Sequence, residues 1–503
     1  MANDFQGYTL PALTGGLNLV DAIDNMDPND ALELENVLPD GLSSRVRAGY
    51  SLKSTTAVTK QIQSLFDLAL EDGSHKIVGA TDAAFWEFSV TPATNITGAT
   101  TPTNGAWKGE GFAHRLYLCN GVDNMQVYDG TTMADSTFTG LALSDIINVS
   151  SYNERLYFIE KNSLSFWYGD VQAVGASALT EYPLKYFMKK GGYLLFAGSW
   201  TNQTSQSSQD LFFVCSSEGE ILFFGGQSPE DLITPWGIVA RYVIGKPMGF
   251  RAFLRVNEDI WIITEQGIVP VSSLFTLDPT SSLDVVSRKI NPLISEFAYT
   301  QGISHMWHGI HWPLGRRVFV VIPTSGTDTL LLVYSQNSKG WTTYKLQNTG
   351  DACSIAVSDG DLYYGSASGK CFNGETGQND NDEAIAYNGR GAFNFFGSRG
   401  NYKRFADIRP LMLTAEGIEI NLGIDTNFQR QQDLGTVVTT EGASTPWGSP
   451  WGSDWSAGEA YIFDRHATKG QGHCGAVRFA GSVKNVGVEF FGFEVRFKSG
   501  DQV

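Results

Sequence analysis

Short runs of apolar residues, many of them alternating with polar ones, are separated along most of this chain by short polar loops that usually contain glycine. The stretch HRLYLCNGVDNMQVYDG (114–130) is one example, and ERLYFIEKNSLSFWYG (154–169) repeats its Arg-Leu-Tyr frame 40 residues later. Two apolar runs on either side of a short polar loop predict a β-hairpin. Similar units start at residues 76, 210, 259, 316 and 361.

The spacing of these hairpins indicates a repeated architecture. They recur at intervals of roughly 40 to 58 residues, which is the length of a four-stranded propeller blade. One unit shows four predicted strands, at 304–311, 317–323, 328–334 and 341–345. We therefore predict an all-β fold with a β-propeller of six or seven blades over residues 51–385. A tandem of β-sandwiches is the alternative.

The pattern changes at both ends of this array. DALELENV (30–37) places Ala31 and Leu34 near one face of a helix, so residues 1–50 are predicted to be an N-terminal arm with a short helix. Residues 386–503 have a different strand rhythm and predict an additional C-terminal β-sandwich-like domain. In its last strand, VKNVGVEFFGFEVRFKSG (483–500), the alternation switches faces, which predicts a β-bulge.

The net charge of the chain restricts the kinds of molecule that it can bind tightly. The 503 residues carry a formal net charge of −18, and the acidic residues are spread along the chain. Tight binding of nucleic-acid phosphates depends on clustered Lys and Arg, so this balance argues against it. A surface along which DNA passes without sticking is compatible with it.

Cysteine usage and the chain start bear on the compartment. The five cysteines (Cys119, Cys215, Cys353, Cys371 and Cys474) are scattered, with no CxxC pair, and predict buried free thiols made in a reducing compartment. The start MANDFQGYTLPALTGG has no basic and apolar leader pattern, and no run of 18 apolar residues occurs. We expect a large protein made in a cytoplasm.

The polar loop at 120–124 is the first candidate site. It contains Asn120, Asp123 and Asn124 but lacks the acidic frame of a calcium-binding loop. Asn and Gly are also ordinary turn residues, so a turn is favoured over a site.

A second candidate is HMWHGIHW, which contains His305, His308 and His311. Histidine is a common zinc ligand, but a strand would place His305 and His308 on opposite faces. Structural or interfacial roles are favoured, and the three residues remain weak metal candidates. No cofactor is predicted.

Catalytic motifs are missing from the sequence. GSASG (365–369) has Ala367 where a nucleophile elbow needs serine, and no phosphate-binding glycine loop precedes a helix. A propeller glycosidase would need paired carboxylates, and the repeated Asp-containing turn of sialidase-type propellers is not found. The chain is therefore predicted not to be an enzyme.

Two groups of residues are candidates for protein interfaces. TPWGSPWGSDW (445–455) holds Trp447, Trp451 and Trp455 on a glycine-rich loop. Tryptophans in such loops can be sugar platforms, but they are also common interface anchors, which is the favoured interpretation. Arg45 and Arg47 of the opening segment are further interface candidates.

Several longer phrases resemble the tail nozzle, or tail-hub, proteins of short-tailed bacteriophages. They are KYFMKKGGYLLFAGSW (185–200), SSEGEILFFGGQSPEDL (216–232), GKPMGF with DIWIITEQGIVPVSSLF (245–275) and the opening GGLNLVDAIDNMDPNDALELENVLPD with VRAGY (15–50). The resemblance covers most of residues 15–375 and, more weakly, the C-terminal region.

This resemblance implies a virion structural protein, assembled in the host bacterial cytoplasm as a homohexameric ring below the portal and adaptor. The ring would retain packaged double-stranded DNA and conduct it during ejection without binding it tightly. The implied partners are other copies of the chain, the head-to-tail adaptor, tail fibres or spikes and, at the distal end, the host surface. The N-terminal region would face the adaptor.

Two loops are candidates for narrowing the lumen of such a ring. One is 201–209, with Asn202, Gln203 and Thr204, and the other is 129–140, with Asp135 and Thr137. The alternative function is a receptor- or glycan-binding propeller, which could also be a glycoside hydrolase.

Overall fold

The structure is a computed structural model. It describes residues 5–203, 208–231, 236–276, 285–325, 328–346, 352–414, 418–430, 434–438, 460–462 and 464–502.

The fold is almost entirely β. Strands of the first half are β1 (Gln6–Pro11), β2 (Gly16–Leu17), β3 (Asp30–Glu35), β4 (Val37–Asp40), β5 (Ser43–Val46), β6 (Tyr50–Thr55), β7 (Ser64–Ala69), β8 (His75–Ala80), β9 (Phe85–Glu87), β10 (Thr94–Asn95), β11 (Lys108–Phe112), β12 (Arg115–Cys119), β13 (Gln126–Tyr128), β14 (Met133–Asp135), β15 (Ile146–Tyr152), β16 (Arg155–Glu160), β17 (Ser165–Tyr168), β18 (Thr180–Pro183), β19 (Leu194–Gln203), β20 (Ser208–Ser216), β21 (Glu220–Gly225) and β22 (Gly237–Val243).

Strands of the second half are β23 (Phe253–Val256), β24 (Asp259–Thr264), β25 (Gly267–Pro270), β26 (His308–Trp312), β27 (Arg317–Ser325), β28 (Asp328–Ser335), β29 (Trp341–Tyr344), β30 (Ala352–Ser358), β31 (Asp361–Ser366), β32 (Lys370–Gly374), β33 (Ile385–Gly391), β34 (Asn401–Thr414), β35 (Glu419–Thr426), β36 (Gly435–Val438), β37 (Ala460–Ile462), β38 (His466–Ala467), β39 (Gln471–Gly472), β40 (Gly475–Val483) and β41 (Val488–Gln502). The described helices are α1 (Val271–Thr276), α2 (Asn291–Gln301) and the 3-10 turns Leu143–Asp145 and Arg288–Ile290.

The chain divides into two compact units. One, here called the propeller unit, is Leu52–Leu330 with Thr349–Asn373. The other, here called the sandwich unit, is Met1–Ser51 with Leu331–Asn348 and Gly374–Val503. The predicted segments 1–50, 51–385 and 386–503 run consecutively, whereas each unit is built from separate segments of chain.

Six small sheets form the blades of the propeller. In chain order they are β7–β10, β11–β14, β15–β18, β19–β22, β23–β25 and β30–β32, the last completed by β6. The inner strands β7, β11, β15 and β19 are neighbours in that order, and the hairpin β26–β27 lies between β23 and β30. The ring closes where β30 contacts β7, and β6 ties the start of the propeller segment to its last sheet. The predicted β-propeller is confirmed.

The apolar core of the propeller unit lies between neighbouring blades. Tyr117 of β12 is buried between the second and third blades, and Tyr157 of β16 is buried between the third and fourth. These are the tyrosines of the repeated Arg-Leu-Tyr frame, so the 40-residue repeat in the sequence is a repeat of inter-blade packing. Burial of such large aromatic side chains is a main favourable term in folding.

The turns between inner and second strands repeat as well. Ala113–His114 and Asn153–Glu154 join β11 to β12 and β15 to β16, and all four residues have positive φ. Two consecutive positive-φ residues make the type I′ turn that matches the twist of a hairpin. The hairpins predicted from residues 114–130 and 154–169 are β12–β13 and β16–β17, and the pairs Leu116↔Tyr128 and Tyr157↔Tyr168 confirm them.

The sandwich unit contains two sheets. In one, the strand order is β37-β34-β41-β5-β4, with β1 paired to β41 and with β38 and β39 paired to β34. In the other, β29-β3-β33-β40-β35-β36 lie side by side, β2 pairs with β3, and β28 pairs with β29. Phe479 of β40 stacks on Phe493 of β41 and packs at a tilt against Phe490, so the two sheets face each other across an aromatic layer.

The bulge predicted in the last strand is confirmed in β41. Leu411 pairs with Gly492 and Met412 with Phe490, which leaves Phe491 as the extra residue. The bulge lets Phe490 and Phe493, three residues apart, both turn into the core.

The helix predicted at 30–37 is wrong, because Asp30–Glu35 is the strand β3. β3 pairs with β33 through Ala31↔Gly391 and Leu34↔Gly389, and with β2 through Gly16↔Asp30. Long-range pairing satisfies the backbone and buries Ala31 and Leu34, which outweighs the helix preference of an eight-residue stretch. The N-terminal segment is thus part of the sandwich unit's sheets.

Candidate functional site

The inner strands of the propeller unit place polar side chains around its axis. Ser354 Oγ of β30 donates to Ile62 O (2.7 Å), and Asn148 of β15 donates from Nδ2 to Phe250 O (3.3 Å) and accepts from Ala197 N (3.4 Å). Hydrogen bonds thus connect the inner strands to the segments that precede them and to each other.

Arg251 crosses the axis. It precedes β23, and its Nη1 donates to Gln63 O (2.9 Å) and Ser64 Oγ (3.1 Å) at the start of the first blade, which is not its neighbour in the ring. The side chain is buried, and burial lowers the pKa of its guanidinium to about 10. Arg251 is therefore a cross-brace that occupies the centre of the propeller.

Two cavities lie along the axis. The first has a volume of about 510 Å³ and is lined by residues at the starts of the inner strands, among them Ile147, Leu195 and His305. The second, here called the axial cavity, has a volume of about 460 Å³. Its lining comes from five inner strands and includes Lys108 and Glu110 of β11, Ser150 of β15, Arg255 of β23 and His311 of β26.

The axial cavity has a positive bias in an acidic chain. Lys108 lies with its Nζ 4.8 Å from the centroid of the Phe253 ring, and Arg255 donates from Nη2 to Ser199 Oγ (2.9 Å). Among the described residues, no carboxylate lies within 4.0 Å of the cationic atoms of Lys108, Arg251 or Arg255. Glu110 is engaged by Ser151, which donates to its Oε1 from Oγ (2.7 Å) and N (3.2 Å).

The pKa of Lys108 reflects this environment. Loss of hydration lowers the pKa of its ammonium, the nearby Glu110 carboxylate opposes the shift, and the Arg255 and Arg251 guanidinium groups lower it further. Like charges around one cavity repel each other and raise the free energy of the folded protein, and a bound anion would reduce this repulsion.

The predicted histidine candidates belong to this region. His308 Nδ1 contacts Met306 O (2.7 Å), and His311 Nδ1 accepts from Asn257 N (3.4 Å). Burial and the Arg251 charge lower the pKa of His305 to about 4 and keep that of His308 well below its ordinary value. In the ranges that the structure describes, no three His, Cys, Asp or Glu side chains gather as a metal site.

In the part of the chain that the structure describes, two buried polar atoms near the axis have no hydrogen-bond partner. Among the described residues, Ser150 Oγ and His308 Nε2 make no hydrogen bond, although both side chains are more than nine-tenths buried. Ser150 lines the axial cavity. A buried hydroxyl without a partner is uncommon and marks a place for a ligand or water.

The loop at 120–124 is a turn. Asn120 Oδ1 accepts from Asp123 N (2.8 Å) and Val122 N (3.0 Å), while the Asp123 carboxylate accepts from Asn120 Nδ2 (2.8 Å) and Thr103. These bonds use both side chains to hold the backbone, as Asx turns do.

The predicted interface residues have different environments. Arg47 is buried within the sandwich unit, where it forms a bidentate ion pair with Asp380, so it is not part of an exposed surface of that unit. Arg45 is exposed and lies 3.3 Å from Asp40. Trp447, Trp451 and Trp455 lie outside the described residues.

The predicted lumen loops lie at two different places on the blades. Asp135 ends β14, the outermost strand of the second blade, and accepts from Gln126 Nε2 (2.8 Å) and Asn124 Nδ2 (3.0 Å). Thr137 Oγ1 accepts from Ala176 N (2.8 Å). Asn202 and Gln203 end the inner strand β19, and Thr204 lies outside the described residues.

Sequence reasoning did not identify Lys108, Ser150, Arg251 or Arg255 as a group. Lys108 lies on β11, Ser150 on β15, and the two arginines on or just before β23, so the group shares no motif and only the ring closure brings it together. The sequence did contain one indication of this group, namely charged residues within an otherwise apolar stretch, as in RAFLRV (251–256).

None of the helices in the described ranges has the length and apolar character needed to span a bilayer.

Comparisons with known proteins give structural matches only. No family model matches the chain, and no curated protein matches it. Among solved structures, the extracellular domain of a B. thetaiotaomicron protein described as a hybrid two-component system is similar at 9% identity and a TM-score of 0.41, over 64% of this chain and 41% of that chain. A second such domain gives 11% identity and a TM-score of 0.43, over 65% and 39%. The designed protein Ika8 gives 8% identity and a TM-score of 0.36, over 64% and 99%. The chain thus spans less than half the length of the two extracellular domains that it matches.

Proposed function

We propose that this chain is a non-enzymatic structural subunit of a short-tailed bacteriophage tail, in which identical copies form a nozzle ring below the portal and adaptor. The ring would retain packaged DNA and conduct it during ejection. The proposal starts from the resemblance of residues 15–50, 185–200, 216–232 and 245–275 to nozzle proteins.

The resembling phrases fall on two parts of the structure. The described residues of 185–275 form the fourth and fifth blades, from the segment before β19 to α1, whereas residues 15–50 contribute β2 to β5 of the sandwich unit. The phrases therefore correspond to packed strands and their turns, which is what a structural role requires of them.

The observation that carries the proposal is an apolar edge on the fourth blade. β22 is the outermost strand of that blade, and it exposes Ile238, Val239 and Val243. Tyr186, which is 81% exposed, and Phe187 lie on an adjoining segment that Arg241 of β22 holds through a hydrogen bond to Phe187 O. These five apolar residues are called the β22 edge patch.

An exposed apolar edge strand is a ready template for pairing with another chain, and proteins that remain monomeric usually protect such edges with charge, proline or a covering segment. β22 carries one charged residue, Arg241, and that side chain is directed to the adjoining segment. We assign the patch to one side of the contact with the next copy in the ring, because a head-to-tail contact joins two different surfaces of successive copies and generates a ring when its rotation closes.

Charge supports the conduit role. A homohexamer would carry six times −18, or −108, at neutral pH. An acidic lumen repels DNA phosphates and prevents the counterion-release binding that would stall passage. Because Arg251 braces the propeller's own axis, the DNA path would be the lumen between the copies.

A substitution in the patch tests the proposal. Val239→Lys adds a charge to the exposed edge, and Val171→Lys is the matched control, because Val171 and Val239 are both 52% exposed and both lie in the propeller unit. Each variant would replace the natural chain during particle production, and its incorporation would be measured by quantitative mass spectrometry of purified particles. Thermal unfolding of the purified variants would show that both fold.

We expect Val171→Lys to enter particles normally. Val239→Lys should remain folded, but its amount in particles should fall by at least about tenfold. A tenfold loss corresponds to about 1.4 kcal/mol of binding free energy at the contact. Equal incorporation of both variants would contradict the assignment of the patch. Absence of the natural chain from particles, or turnover of a glycan by the purified chain, would contradict the nozzle function and favour the receptor- or glycan-binding alternative.

A further inference from the structure

We infer that the axial cavity of the propeller unit binds a small organic anion. Lys108 and Ser150 would hold the carboxylate or phosphate group of this ligand, and Arg255 would also interact with that group. This site goes beyond the proposed structural function and would be a property of each single propeller.

The first support is the unbalanced charge of the lining. Lys108 and Arg255 line the cavity, and the cationic atoms of neither lie within 4.0 Å of a carboxylate among the described residues. The Glu110 carboxylate also lines it and offsets one of these two positive charges, and its Oε1 accepts two hydrogen bonds from Ser151. The Lys108 ammonium has three donors, and its contact with the Phe253 ring face uses none of them as a conventional hydrogen bond.

The second support is independent of charge. Ser150 is 3% exposed and lines the cavity, yet its Oγ has no hydrogen-bond partner in the described part of the chain. A hydroxyl can donate to an anionic oxygen, and such charge-assisted hydrogen bonds are stronger than neutral ones. An oxyanion would therefore satisfy both Ser150 and Lys108.

The size and the remaining lining restrict the ligand class. A volume of about 460 Å³ lies within the range of small-molecule sites. Leu254, Ile310 and Pro313 add apolar surface to the lining. The ligand would thus combine an anionic group with a compact apolar body, which distinguishes it from a bare inorganic ion.

Three ligands that share a ring and differ in head group provide the test. Isothermal titration of the full chain would use benzoate, phenyl phosphate and the uncharged benzyl alcohol at constant ionic strength. The variants are Lys108→Met and Ser150→Ala, and the control is Lys60→Met, which removes a cation from the exposed pair with Asp82 in the same unit.

We expect saturable one-to-one binding of at least one of the two anions, with benzyl alcohol and the Lys108→Met variant each weaker by at least about tenfold, and with Lys60→Met unchanged. Preference between benzoate and phenyl phosphate tells whether the head group is a carboxylate or a phosphate. Circular dichroism would show whether Lys108→Met folds. If it does not fold, the inference is still tested by Ser150→Ala, which should bind the anion severalfold more weakly, and by the weaker binding of benzyl alcohol to the natural chain. No saturable binding of either anion up to about 10 mM, or equal affinity in the folded variants, overturns the inference.

Discussion

Removal of Asp380 should strongly destabilise the sandwich unit, because it leaves the Arg47 guanidinium buried without its counter-ion. Arg47 and Asp380 are almost completely buried, and two hydrogen bonds of 2.7 and 2.5 Å join them. Breaking one side of a buried ion pair typically costs about 3–5 kcal/mol. Arg47 keeps hydrogen bonds to Asn36 Oδ1 and Lys345 O, so we expect about 3 kcal/mol for Asp380→Ala.

The double variant Arg47→Met/Asp380→Leu should lose much less. Asn36 and Lys345 remain hydrogen-bonded to each other through Nδ2 to O (2.9 Å) and N to Oδ1 (2.9 Å), so removal of Arg47 does not orphan either of them. Replacing both partners of a buried pair with apolar residues is often close to neutral, and we expect a loss below about 1.5 kcal/mol. The control Asp40→Ala breaks the surface pair with Arg45 and an exposed hydrogen bond from Asn337 Nδ2, and should cost less than about 1 kcal/mol.

Hydrogen exchange measured by mass spectrometry is the suitable assay, because two units can unfold separately and a single global transition would mix them. In Asp380→Ala, amides of β5 and β33 should exchange about a hundredfold faster, while amides of the propeller strand β20 should change little. The reasoning is refuted if the single variant exchanges like the natural chain, or if the double variant is as destabilised as the single one.

Two further predictions concern titratable groups in the propeller unit and the thiols. Because His305 has a folded-state pKa of about 4, below the ordinary value of 6.5, the unfolded chain takes up a proton first as the pH falls, so stability should decrease between pH 6.5 and 4. Thermal unfolding across that range should show a smaller decrease in His305→Gln, and an equal decrease would contradict the assignment. All five cysteines are buried and free, and burial raises the pKa of the Cys371 thiol to about 12, so Ellman's reagent should label none of them in the folded chain and all five in denaturant. Rapid labelling of any thiol in the folded chain would count against this.

The strands of the propeller were predictable because each blade hairpin is a local feature. Alternating apolar residues and short Gly or Asn turns define β12–β13 and β16–β17, and the 40-residue repeat places Tyr117 and Tyr157 in equivalent inter-blade layers. The buried free thiols were predicted from cysteine spacing alone and are confirmed. These features depend on contacts between residues that are near in sequence or regularly repeated.

Features that depend on distant pairing were not predictable in this way. The strand β3 has a helix-like local pattern and forms because it pairs with β33, about 355 residues later. Arg47 resembles a surface arginine in the sequence, and only the approach of Asp380 explains its burial. The axial group of Lys108, Ser150 and Arg255 likewise requires the closed ring, which no local pattern specifies.

The most direct test of the proposed nozzle role is a cryo-electron microscopy reconstruction of the phage particle in which the proposal places this chain. The account predicts a ring of six copies below the portal and adaptor, with the β22 edge patch at the contact between neighbouring copies and the DNA path through the central lumen. A reconstruction that lacks the chain, or that places it only at fibre tips with the β22 edge patch exposed to solvent, would contradict it.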